Sequence, residues 1–390
     1  MEKHVPLDLI NDILSRLPVK SLLRFKCVSR GWCFLINDQN FIKLHLKRST
    51  QSNSHSSLVI VQYTKLSLVD LSSLLVVEEV ADDSLRQLFR GSIKVLGICN
   101  GLLCLSNSAY NRNILWNMST REHLTLPPVP ENFLLYPTPE TMKLFGLGYD
   151  PIDDDYKVIF VSQTYQSKHK GIFYSLRSKS WGKIHDYSNW IYCGSGSGVY
   201  ASGALHWLVS RSWKEMMENS DVFIVAINLN TRKQQFFRCP DQDPDQDQHQ
   251  DQEYKAWNIP PHRFDFKTIE VLGEQLCAMD LNGNHNFTAD IWLMKKYGVQ
   301  ESWTRLFSIP YFHTGYISSY AGLFVHPLTC SKNCDEVLVD VGHDHARLIF
   351  YYNPKNKSVR YVNIPTCQNS SFEVQICHEN LVSLTSRERP

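Results

Sequence analysis

The chain reads as α+β: an all-helical module at the start, then an all-β domain of propeller type with six or seven blades. Three observations predict this. The first 46 residues place apolar side chains three and four apart. From Leu58 onward, apolar side chains fall in short or alternating runs between turn signals. One short strand followed by one hairpin then recurs every 50–60 residues or so, roughly the spacing of propeller blades.

Four short helices are predicted in the opening module, residues 1–46. Ile10, Ile13, Leu14 and Leu17 form one apolar face of the first. Pro6 suits its first turn, where no N–H is needed, and Pro18 ends it. The second is expected from about Ser21, which can cap it, with Leu22, Phe25 and Val28 apolar. The third runs through Trp32, Leu35 and Ile36. The fourth opens near Asp38 and turns Phe41, Leu44 and Leu46 inward. So small a bundle cannot bury this many large apolar residues, and the surplus marks a partner surface. Residues 47–57, rich in Ser, read as a polar linker.

Residues 58–384 carry the β texture. The recurring short strands are Gly101–Leu105, Lys157–Val161, Gly203–Val209, Gln275–Met279 and Glu336–Asp340. A hairpin with a polar turn follows each: 114–126, 172–184, 222–236, 290–303 and 348–361. A single small sheet cannot cover its own faces, so such units stack. Residues 58–90 supply another unit, and Phe372–Leu384 are expected to complete a blade with an early strand. A β-sandwich or irregular barrel is the alternative.

Composition narrows the function. A net charge of +1 over 390 residues excludes a global field for nucleic acid. Lys and Arg outnumber Asp and Glu in the first 48 residues, which suits docking on an acidic partner. No signal peptide is read before Pro6, and no apolar run approaches the length of a membrane helix. Eleven scattered cysteines without a Cys-x-x-Cys read as reduced thiols of the cytoplasm or nucleus.

The opening stretch resembles an F-box. The matching residues are Pro6, Asp8, Leu9, Ile13-Leu14, Arg16-Leu-Pro18, Lys20-Ser-Leu22, Arg24-Phe-Lys-Cys-Val28, Trp32 and Leu35-Ile36. Val5, Arg30 and Gln39-Asn40 depart from the usual pattern. The resemblance implies docking on a Skp-family adaptor and, through it, on cullin and RING subunits. It makes the chain a non-catalytic substrate receptor for ubiquitination and degradation. Pro6, Leu9, Ile13, Leu17, Pro18, Leu22, Val28 and Trp32 are the residues expected to dock or to shape that face. For Ile13, Val28 and Trp32 the module's own core is an equal alternative.

The β region is similar to the plant F-box-associated interaction domain, type one, kelch-like in repeat length. Gly97-Ile-Cys-Asn-Gly101, Leu115-Trp-Asn-Met-Ser-Thr120, Gly146-Leu-Gly-Tyr-Asp150 and Asp290-Ile-Trp-Leu-Met-Lys295 carry the similarity. Met118 stands where a Pro is usual. The whole looks most like the immune-restraining CPR class, with S-locus pollen F-box proteins, receptors for stylar ribonucleases, the nearest alternative. An adaptor-free propeller scaffold is the other.

Other signals read as structural. Trp116, Trp181, Trp207, Trp292 and Trp303 suit blade packing better than ligand stacking. Gly194–Gly198 lacks the Lys-Ser/Thr of a phosphate loop. His343-Asp-His345 with Asp340 lacks a third ligand block, so neither metal nor cofactor is expected. The Asp/Gln tract 241–253 reads as a disordered loop. Aromatic loops at 190–192 and 311–320 are candidate substrate contacts.

Overall fold

The computed structural model describes residues 6–52, 56–62, 65–71, 73, 76–79, 93–107, 112–130, 143–163, 169–184, 191–192, 196–210, 222–240, 268–282, 288–310, 324–331, 335–343, 346–362 and 372–385. The chain forms two compact units, Met1–Pro128 with Phe372–Pro390, and Val129–Ser371.

Four helices open the first unit: α1 (Leu7–Leu14), α2 (Val19–Phe25), α3 (Arg30–Ile36) and α4 (Gln39–Ser52). Pro18, not Ser21, stands at the start of α2, and the Ser21 and Leu22 N–H groups donate to its carbonyl. Proline suits this place because its fixed φ is already helical. Helix α4 also differs from expectation. It runs six residues into the stretch read as a linker, and strand β1 begins at Ser56. Within this extension Arg48 reaches Asp12 of α1, 2.6 Å from guanidinium to carboxylate.

The all-β part comprises six blades. In the first unit, one sheet joins β1 (Ser56–Gln62), β2 (Lys65–Asp70) and β3 (Val76–Glu79) to β25 (Glu373–His378), in the order β25-β1-β2-β3. The expected completion of an early blade by a late strand is thus realised, with Leu58 opposite Ile376. The second sheet is β4 (Ile93–Cys99), β5 (Leu102–Asn107), β6 (Arg112–Asn117) and β7 (Glu122–Thr125). Val59, Val61, Val95, Leu103, Leu105 and Trp116 fill the space between the two sheets.

Four sheets make the second unit. One is β8 (Lys143–Asp150), β9 (Asp155–Gln163), β10 (His169–Ser175) and β11 (Ser180–Ile184). The next has five strands: β12 (Ile191–Tyr192), β13 (Val199–Ala201), β14 (Ala204–Ser210), β15 (Val222–Asn228) and β16 (Gln234–Arg238). Then come β17 (Thr268–Leu272), β18 (Gln275–Asn282), β19 (Thr288–Met294) and β20 (Trp303–Pro310). The last is β21 (Phe324–Cys330), β22 (Val337–His343), β23 (Ala346–Asn353) and β24 (Ser358–Val362).

The recurring short strands of the sequence are β5, β9, β14, β18 and β22, each second in the four-strand meander of its blade; the recurring hairpins are the third and fourth strands. Their turns share a device. The side chains of Asn117, Asn228 and Asn353 each accept two backbone N–H groups of the turn, and Arg121, Arg232 and Lys357 then take positive φ. An Asx cap followed by one left-handed residue is what reverses the strand.

Blades lock by aromatic and charged insertions. Trp207 is fully buried between the β8–β11 and β12–β16 sheets, with Leu144, Val161 and Leu205 around it. Its indole N–H donates to the Phe145 carbonyl at 3.3 Å. A Cβ on Gly198 would lie 2.5 Å from that indole, so Gly198 serves the packing of Trp207. Lys157, also buried, places its ammonium 2.6 Å from the Asp150 carboxylate and 3.0 Å from the Leu229 carbonyl of the neighbouring sheet.

His206 of β14 is wholly buried. A carbonyl can only accept, so its Nδ1–H donates to Val199, 3.1 Å away, and Nε2 receives the Tyr297 hydroxyl at 2.9 Å. Burial pushes His206 down to about 4 and the Tyr297 phenol up to about 12. Burial likewise lowers His378 of β25 to about 4. Both histidines bind a proton more readily unfolded, so stability is lost as pH falls from 6.5 toward 4. The steepest loss is about 1.4 kcal/mol per pH unit for each histidine. His326 acts in the opposite direction. Burial would lower it, but the Glu270 carboxylate 2.7 Å away outweighs this and raises it. Its contribution is complete below its unfolded pKa and fades only as pH rises through the raised value. Urea midpoints across pH 4–8 should therefore fall on the acid side, and His206→Asn should flatten that limb. An unchanged limb in the variant would refute the assignment.

Candidate functional site

The helical module divides its apolar residues between a core and a surface. Leu14, Val19, Leu22, Ile36, Phe41 and Ile42 are buried together, with Ile10, Leu17, Phe25 and Trp32 packed against them. The Phe25 and Trp32 rings meet edge to face at 5.4 Å. Local caps hold the helices: Ser29 Oγ accepts the Trp32 N–H at 3.1 Å, and Asp38 Oδ1 accepts those of Asn40 and Phe41 at 2.9 and 3.1 Å. Asp12 receives Arg16 and Arg48, whose hydrogen bonds hold its carboxyl below the usual range. This cluster is largely solvated and adds little stability.

The surface set is Leu7, Leu9, Ile13, Val28 and Phe34, between 54% and 77% exposed. These are five of the eleven large apolar side chains exposed among the described residues, concentrated within 28 positions. Leu9 and Ile13 lie one helical turn apart on the same face of α1.

Of the residues expected to dock, Pro6, Leu9, Ile13 and Val28 are exposed, and Leu17, Pro18 and Trp32 are half-buried. Leu22 is fully buried in the helical core and is not on the exposed face. Leu7 and Phe34 were missed by the sequence reading. Phe34 carries a readable signal: it is a large apolar residue off the inward stripe of Trp32, Leu35 and Ile36.

Other candidates fare differently. Asp340 is engaged by the Arg347 guanidinium. His345, the tract 241–253, Trp190 and residues 311–320 lie outside the described residues. No group of three or more metal-ligating side chains occurs among the described residues. Cys99, Cys104, Cys239, Cys277 and Cys377 are buried. The pair His326–Glu270, unforeseen in the sequence, ties β21 to β17, the first strands of two blades.

The F-box domain model matches residues 3–44, and the F-box associated beta propeller domain model matches residues 62–386. The chain belongs to the F-box associated β-propeller family. The matching model is the third of its series, where the sequence motifs resemble type one. Among relatives of this F-box protein, F-box protein CPR1 of Arabidopsis thaliana is 29% identical, covering 97% of this chain and 88% of its own. F-box protein At4g22390 of the same plant is 26% identical over 97% of this chain and 90% of its own. A solved nidogen/laminin complex chain aligns with 84% of this chain and 100% of its own, at 9% identity and a TM-score of 0.46. The F-box implies binding to a Skp-family adaptor within SCF complexes, and F-box proteins are typically non-catalytic adaptors. No described helix is long and apolar enough to cross a membrane.

Proposed function

We propose that this F-box protein is the substrate receptor of a Skp–cullin–F-box ubiquitin ligase. It docks on the adaptor through Leu7, Leu9, Ile13, Val28 and Phe34, and it presents a protein target from the propeller. The observation that carries this reading is the concentration of exposed apolar side chains on a module whose own core is already filled. Catalysis in this arrangement is proximity: the ligase raises the effective concentration of the target's lysines near the charged conjugating enzyme. No nucleophile of this chain takes part. By its resemblance to the CPR class, the target is a regulator of plant defence, met in the cytoplasm or nucleus.

The purified chain incubated with a Skp-family adaptor tests the docking. Mass spectrometry of proteins that accumulate in plant cells lacking the chain tests the target class. Co-purification with the adaptor and accumulation of defence proteins are the expected results. A wild-type chain that fails to retain the adaptor would overturn the receptor reading. Accumulation of stylar ribonucleases would replace the defence target with the S-locus alternative.

A further inference from the structure

After β25 the chain does not leave the fold. Residues 379–384 touch both the helices and the second blade. Glu379 reaches the helices, its Oε2 accepting the Val19 N–H at the start of α2 at 2.7 Å. Asn380 turns back: it is fully buried, and its Oδ1 receives Asn117 Nδ2 of β6 at 2.6 Å. Leu381, 2% exposed, enters the helical core beside Leu14, Val19, Leu22, Ile36, Phe41 and Ile42. The Val382 carbonyl accepts Asn117 Nδ2 at 2.7 Å, and the Leu384 N–H donates to Glu122 Oε2 at 2.8 Å.

The blade is shaped to receive this strand of chain. Gly101, at the β4–β5 turn, has φ +79, and a Cβ there would lie 2.0 Å from the His378 carbonyl oxygen and 2.4 Å from Asn380 Nδ2. Only glycine meets both demands. The helical core is therefore closed on one side by residues that follow the last strand.

We propose that Glu379–Leu384 is a wall of the F-box, and that its seating sets adaptor-docking competence, with Glu379 and Leu381 as positioning residues. The proposal rests on the docking reading above. Neither residue belongs to the exposed set, and Leu381 packs in the helical core. Its effect on docking is indirect: without the wall the helices populate their docking arrangement only in part, and apparent affinity falls by that fraction.

The test uses the full chain with Leu381→Ala, Leu381→Met and, as a control in the blade core, Leu103→Ala. Adaptor dissociation constants come from calorimetry, and amide hydrogen exchange is followed in parallel. Leu381→Ala should weaken adaptor binding at least tenfold and speed exchange in α1–α4 more than in β4–β7. Leu381→Met should restore binding to within threefold of wild type, and Leu103→Ala should leave it unchanged. An unchanged constant in Leu381→Ala, or an equal loss in Leu103→Ala, overturns the proposal. A wild-type chain that binds no adaptor defeats the docking reading instead. Hydrogen exchange then decides the wall: selective loss in α1–α4 upholds it, and uniform loss refutes it.

Discussion

Leu9→Asp with Ile13→Asp is expected to abolish adaptor capture, and the thermal midpoint should stay within about 2 °C of wild type. Both side chains are more than half exposed, so the carboxylates remain solvated in the free chain and cost little there. In the complex each would be buried without a partner. A central apolar anchor contributes about 2 kcal/mol or more, so losing two weakens binding roughly a thousandfold. Calorimetry against the purified adaptor, with a melting curve for each variant, measures both quantities. Leu17 and Leu22 are unsuitable for this purpose. Both pack in the helical core, so a charge there would remove binding by unsettling the helices. Retention of the adaptor by the double variant would move the docking surface elsewhere.

Lys157→Met is expected to destabilise the second unit by about 3–5 kcal/mol, because it strands a buried charge. The Asp150 side chain is wholly inaccessible. Burial alone would raise its pKa, yet the hydrogen bond from Lys157 and those from the Asp153 and Ile152 N–H groups outweigh burial and lower it. Without Lys157, the carboxylate keeps the two backbone donors and the Asn230 amide at 3.3 Å. The Leu229 carbonyl would lose its ammonium as well, loosening one blade from the next. Adding Asp150→Asn to Lys157→Met should recover most of the loss, since removing both charges of a buried pair is nearly neutral. Urea midpoints of the two singles and the double decide it. A single variant within 1 kcal/mol of wild type, by roughly the precision of such midpoints, would show that the pair is not needed.

Much of this architecture was legible in the sequence because it is local. The second strands of the blades announce themselves by Gly entry and apolar runs, and the hairpins by an Asn with a basic residue four positions on. The first strands did not. Strand β13 has three residues, and β21 is broken by a register shift after Pro327. The division of the F-box into core and surface was also partly hidden. Leu22 and Leu9 are equally apolar in the sequence; only packing separates a residue that fills the module from one left on its surface. What lay furthest out of reach was long-range. Arg48, in the stretch that read as a linker, finds Asp12 across 36 residues. Glu379 finds Val19 across 360, and no local pattern connects them.

That last separation has a meaning in time. At about 5–20 residues per second, the 360 residues between Val19 and Glu379 take about 20–70 s to synthesise. During that interval Leu14, Leu22 and Phe41 have left the ribosome, but the side chain that closes over them does not yet exist. A ribosome-bound fragment of this chain therefore carries an F-box sequence without a finished F-box. If the seating of Glu379–Leu384 sets docking competence as proposed, adaptor binding would wait for nearly the whole chain, and an incomplete product would not occupy the adaptor in its place.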